Sequence, residues 1–212
     1  MSLNRITRAA GLAVAGLTLL APLALAQDAT PMTGSPEAHM AAPIEVPLAD
    51  KDGKAVGLAT FTEDDNGVTV HILVEGLTPG MHGWHLHEKG ICDGAGDEPF
   101  SSAGAHWNPT DMEHGAPDAE SHHVGDFGNF EATADGMADV TITTSDFTML
   151  GDGPTSVNDA DGTAIIIHAG EDDLTTQPNG DSGARFACGV ITAPMADMMG
   201  TPMAQAAATP IS

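Results

Sequence analysis

The sequence predicts an all-β domain of about eight short antiparallel strands, packed as a sandwich or closed as a barrel. Three observations carry that expectation. Glycine (25) and proline (14) are abundant, tyrosine is absent, and apolar residues make up 42% of the 212-residue chain, a composition of many turns around a core. Apolar and polar residues alternate in short runs between turn signals, most clearly in Val68-Thr69-Val70-His71-Ile72-Leu73-Val74. No amphipathic run of helical length interrupts residues 44–192, and no internal repeat is visible.

Residues 1–26 read as a signal peptide. Arg5 and Arg8 precede an apolar run from Ala9 to Leu25, and Ala24-Leu25-Ala26 is a small-x-small cleavage site. Residues 27–43 are Pro, Ala, Met, Ser and Gly without periodicity and read as a flexible arm. The domain proper spans 44–192, and 193–212 is a Met-, Ala- and Pro-rich flexible tail.

The strands follow in order at 44–48, 56–62, 68–74, 81–87, 129–134, 138–143, 163–168 and 185–191. Gly53 and the pairs Asp135-Gly136 and Asp161-Gly162 supply turns that need a positive φ. Within 68–74 the valines and Ile72 share one face, so His71 points to solvent. Two segments break the rhythm, 90–122 and 169–184. Loops of that length in a compact domain are usually functional or disordered.

Charge excludes some functions. Thirty acidic residues against six basic give −24, and removal of Arg5 and Arg8 with the signal takes this to −26. Such a surface does not suit nucleic acid or an anionic membrane. It keeps the protein soluble, as in salt-adapted proteins. Export leads to an oxidising compartment, where the only two cysteines, Cys92 and Cys188, can pair.

Histidine placement is the strongest functional signal. His85 and His87 lie two apart on a predicted strand and so leave the same face, with Leu86 turned to the other. The long loop and its exit supply His106, His114, His122, His123 and Asp126, and His168 follows. Imidazoles and a carboxylate without a free thiolate fit zinc or copper. Four imidazoles favour Cu(II), and three with a carboxylate suit tetrahedral zinc.

These residues resemble a known family. Gly83-Trp84-His85-Leu86-His87, Ser102-Ala103-Gly104-Ala105-His106-Trp107-Asn108-Pro109, His114, His123-Val124-Gly125-Asp126, His168 and Gly180-Asp181-Ser182-Gly183-Ala184-Arg185-Phe186-Ala187-Cys188-Gly189-Val190-Ile191 look like the copper/zinc superoxide dismutases, in order, over 44–192. The early position of Cys92 looks like the bacterial periplasmic branch. The resemblance implies an eight-stranded Greek-key barrel with two long functional loops. It implies copper at His85, His87, His106 and His168, and zinc at His106, His114, His123 and Asp126, one of each per subunit. His106 would bridge the metals and carry a proton to the product, and Arg185 would draw superoxide to the copper. Asp172 would link a copper-side to a zinc-side imidazole, Cys92–Cys188 would be the family disulfide, and His82 would sit hydrogen-bonded inside the barrel. His122 is expected to be solvated and Trp107 to serve packing. Relatives of this kind include monomers and homodimers. The competing expectation is a non-catalytic exported copper/zinc-binding protein of the same fold.

Overall fold

The computed structural model describes residues 42–192 except 152. The segments expected to be a signal peptide (1–26) and a C-terminal tail (193–212), and most of the expected 27–43 arm, lie outside the described residues. Eight strands form one antiparallel sheet: β1 (Ile44–Asp50), β2 (Ala55–Asp64), β3 (Gly67–Glu75), β4 (Gly80–His87), β5 (Asp126–Ala132), β6 (Met137–Thr144), β7 (Thr163–His168) and β8 (Arg185–Ile191). Their spatial order is β5-β4-β7-β8-β1-β2-β3-β6. Strands β3 to β6 therefore lie as 3-6-5-4, the Greek-key arrangement. The two outermost strands, β5 and β6, are joined by the 133–136 turn, which nearly closes the barrel. Gly136 takes φ 74 there, and a Cβ on it would lie 2.4 Å from the Leu77 carbonyl oxygen.

Alternation decides which side chains fill the barrel. Val68, Val70, Ile72 and Val74 of β3 point inward, as their spacing requires, and join Phe61, Trp84, Leu86, Ile165 and Ile167 in the main core. His71 faces outward and bonds Asp139 on β6 at 2.9 Å. β4 and β7 differ from the other strands because they are buried on both faces. Their inner faces join the core. Their outer faces, carrying His85, His87, Ala164, Ile166 and His168, are covered by loops.

Cys92 and Cys188 are bonded, with Cα atoms 5.7 Å apart. The bond fastens the β4–β5 loop to the outer face of β8. There Phe100, Ala103, Ala164, Ile166 and Cys188 form a second, smaller core with Cys92 against it.

The structure corrects three expectations. β5 starts at Asp126, three residues before the expected 129, because residues 123–126 turn directly into the strand that pairs with β4. A third long connection, 145–162, buries Phe147, Met149 and Val157 in the main core, so it is packed where alternation alone showed nothing. His122 is half-buried, with its ring nitrogens at Ala119 O (2.9 Å) and Asp146 Oδ2 (3.4 Å), and is not simply solvated.

Candidate metal centre

β4 provides the platform. Trp84 and Leu86 anchor it in the barrel, and the intervening parity turns His85 and His87 outward. The antiparallel register with β7 sets His85 opposite Ile166 and His87 opposite Ala164, which brings His168 to the same outer face. Where β5 has not yet begun, residues 105–107 of the loop run alongside the end of β4. Glu88 N donates to Ala105 O (3.0 Å) and Trp107 N to Leu86 O (2.8 Å). His106 is thereby bridged to His87.

The residues expected to hold zinc gather around one carboxylate. Asp126 opens β5 opposite His85. Its Oδ2 accepts the backbone N–H of His123 (2.9 Å) and of Gly115 (3.2 Å), which holds the chain beside His114 and His123 in place.

Two groups of donor atoms result, His85, His87, His106 and His168, and His106, His114, His123 and Asp126. Within each, the atoms lie no more than 4.8 Å apart. All seven residues are at most 5% exposed. A buried ring nitrogen without a partner is costly unless something else satisfies it. Here the unpartnered nitrogens are His85 Nδ1, His87 Nε2, His106 Nε2 and His168 Nε2 in the first group, and His114 Nδ1 and His123 Nδ1 in the second. The last two lie 3.0 and 3.3 Å from Asp126 oxygens without hydrogen-bond geometry, as donors converging on one ion do. His106 Nδ1 lies 3.0 Å from Asp126 Oδ1. The donor sets thus fit two cations that share one imidazole.

The opposite ring nitrogens fix the rotamers. His87 Nδ1 donates to Gly104 O (3.0 Å) and His168 Nδ1 to Gly183 O (3.2 Å). Asp172 takes His85 Nε2 on Oδ2 (2.5 Å) and His114 Nε2 on Oδ1 (3.0 Å), so one carboxylate orients an imidazole in each group. Burial lowers His87 well below its ordinary range, His168 to about 3 and His106 to about 4. Their lone pairs are therefore free at neutral pH. His114 moves the other way, to about 9, because the nearby Asp126 carboxylate and the Asp172 carboxylate it bonds outweigh burial. Burial would raise Asp126 and Asp172, yet their imidazole partners hold both well below the usual carboxylate range.

Arg185 opens β8 beside His168. Its Nη2 donates to Gly104 O (2.6 Å) and its Nη1 to Phe100 O. It lines a cavity of about 380 Å³ with Ser101, Asn179, Asp97 and Glu98.

The structure brings the seven candidate ligands together with Asp172 and sets Arg185 beside His168, and His82 lies inside the barrel with its ring nitrogens at His168 O (2.8 Å) and Thr78 O (2.7 Å). Trp107 packs in the core, edge-on to Phe147. The sequence reading misses three supports. Asn129 pairs its amide with both backbone groups of Asp172 (2.8 Å each). Gln177 does the same for His114 (2.8 Å each). Phe100 supplies a carbonyl to Arg185. No spacing pattern marks them, since each acts across elements far apart in sequence.

A Greek-key barrel with two buried donor sets sharing one imidazole, and a guanidinium beside them, defines a binuclear metalloprotein of the superoxide dismutase kind. Comparison with known proteins gives the same class. The family model for copper/zinc superoxide dismutase matches residues 55–191. The superoxide dismutase-like protein YojM of Bacillus subtilis is 41% identical over 148 residues, 69% of this chain and 74% of that protein. The superoxide dismutase [Cu-Zn] of Caulobacter vibrioides is 44% identical over 142 residues, 66% and 80% of the two chains. Among solved structures, Cu/Zn superoxide dismutase from Brucella abortus superposes with a TM-score of 0.59 at 31% identity, covering 71% of this chain and all of that one. The chain belongs to the copper/zinc superoxide dismutase family, whose cofactors are copper and zinc.

Proposed function

We propose that this chain is an exported superoxide dismutase that converts two superoxide anions and two protons to O₂ and H₂O₂. The observation that carries the proposal is the complete pair of donor sets sharing His106, with Arg185 alongside. His85, His87, His106 and His168 would hold copper, since four neutral imidazoles suit that ion. His106, His114, His123 and Asp126 would hold zinc, since three imidazoles and a carboxylate suit that ion. Copper, when bound, would supply the one-electron couple by which one superoxide is oxidised and the next reduced.

The chain's own residues do the rest. Arg185 has five N–H donors, and the two carbonyls leave others to orient a small anion. His106 is placed to hold a proton at Nε2 and deliver it to the peroxide product, while Nδ1 stays beside Asp126 Oδ1 (3.0 Å). Asp172 keeps His85 and His114 in register through this exchange. Export is supported by the N-terminal basic and apolar segment, by the Cys92–Cys188 bond, and by the relative named extracellular superoxide dismutase in Drosophila melanogaster, 40% identical over 154 residues.

One observation favours a second reading, a metal-binding protein without catalysis: the Bacillus relative is named only superoxide dismutase-like. The two readings separate on superoxide consumption by the copper- and zinc-loaded chain beside its His168→Ala variant. The dismutase reading expects activity in the first and its loss in the second. Full metal content with no activity in either rejects it.

A further inference from the structure

We infer that Phe100 is a positioning residue for Arg185, acting through a side chain wedged into the small core outside the barrel. Phe100 is 2% exposed and packs with Ala103, Ala164, Ile166 and the Cys92–Cys188 pair. Its backbone is left-handed, φ 63, a conformation that bulky residues rarely adopt and that persists only where the surroundings fix it. The surroundings do fix it. Phe100 N donates to Asp93 O (2.7 Å), and Phe100 O accepts Ala103 N (3.0 Å) and Arg185 Nη1.

Four residues on, Gly104 O accepts both Arg185 Nη2 (2.6 Å) and His87 Nδ1 (3.0 Å). The guanidinium is thus held by two carbonyls of one short segment. The far end of that segment is paired to the β4 exit, where Lys89 N donates to Ala103 O (3.0 Å). The near end has the Phe100 side chain as its anchor.

A competing pull makes the anchor matter. Glu98 lines the same cavity as Arg185 and attracts its charge. Loosening the Phe100 carbonyl frees the guanidinium to turn towards Glu98 and away from an incoming anion. The inference deepens the proposed function and takes the purpose of Arg185 from it, but its first test needs no turnover.

Arg185 is the only arginine after residue 8, so its chemistry can be followed alone. In the metal-free full chain, phenylglyoxal modification of the Arg185 peptide, read by mass spectrometry, is expected to run several-fold faster in Phe100→Ala than in the parent. Phe100→Leu, which keeps an apolar plug, is expected to restore protection. In the copper- and zinc-loaded chain, azide binding read from the Cu(II) spectrum is expected to weaken several-fold in Phe100→Ala while the azide-free spectrum stays unchanged. A folded Phe100→Ala chain with parental reactivity and parental azide affinity overturns the inference. If that variant does not fold, Phe100→Val serves in its place. Intermediate protection supports the inference and full protection overturns it. Loss of protection in a chain that proves inactive towards superoxide leaves the positioning role standing and removes only the dismutase reading.

Discussion

Asp172 touches an imidazole of each donor set, so its loss should be felt by both. Asp172→Asn keeps the size but offers one acceptor in place of two. It is expected to weaken binding of at least one metal about 10- to 100-fold, measured by chelator competition. Parental affinity at both sites would show that packing alone orients His85 and His114. Acid response belongs to the same residues. In the metal-free chain His106 and His168 sit near 4 and 3, below their ordinary 6.5. The unfolded chain therefore binds more protons between those values, and stability falls as pH drops below 6.5. Asp126 and Asp172, held low, add a loss at more acid pH. His114, raised to about 9, contributes fully below 6.5 and loses its contribution as pH rises through 9. The melting temperature of the metal-free chain is expected to peak near neutrality. A flat profile from pH 4 to 6.5 would contradict this. The candidate ligands were legible because their side-chain types are rare and their spacing is distinctive. Asn129, Gln177 and Phe100 were not, because their partners are backbone groups of distant segments.

β4 shows why a strand can carry chemistry on one side and stability on the other. Leu86 is fully buried between His85 and His87, and Leu86→Ala is expected to cost about 2–5 kcal/mol in denaturant unfolding. A loss below about 1 kcal/mol would mean that the site, not the core, holds this strand. The Cys92–Cys188 bond spans a sequence separation of 96 and ties the first long loop to β8. Chain entropy assigns such a closure about 4–5 kcal/mol. At this scale alternation was a good guide where one face is wet and one is dry, as in β3, and the bounds of β7 and β8 agree with the sequence expectation. It failed at β5, where the residues that turn into the strand are Asp, Gly and His serving the site. It also passed over 145–162, where Phe147, Met149 and Val157 fill the core without strand periodicity.

The whole molecule sets a charge problem for the reaction. The chain carries −24 while its proposed substrate is an anion, and Asp97 and Glu98 line the cavity beside Arg185. Long-range repulsion is screened over about 8 Å at ~0.15 M salt, whereas the guanidinium acts at contact. The rate constant for superoxide is therefore expected to fall little, or to rise, as salt is raised to that level, measured by stopped-flow decay. A steep fall would reveal a positive funnel strong enough to overcome the body charge. The Greek-key order was legible only through the family resemblance, since strand spacing alone leaves sandwich and barrel open. The two donor sets converge because that order lays β4 beside β7 and lets the loop at 105–107 follow β4. On the proposed function, this convergence makes a catalyst and not a store. The count of superoxide anions consumed per copper by the copper- and zinc-loaded chain tests it most directly. Many turnovers at an undiminished rate are expected, with O₂ and H₂O₂ formed in equal amounts. Consumption that stops after one superoxide per copper would contradict it.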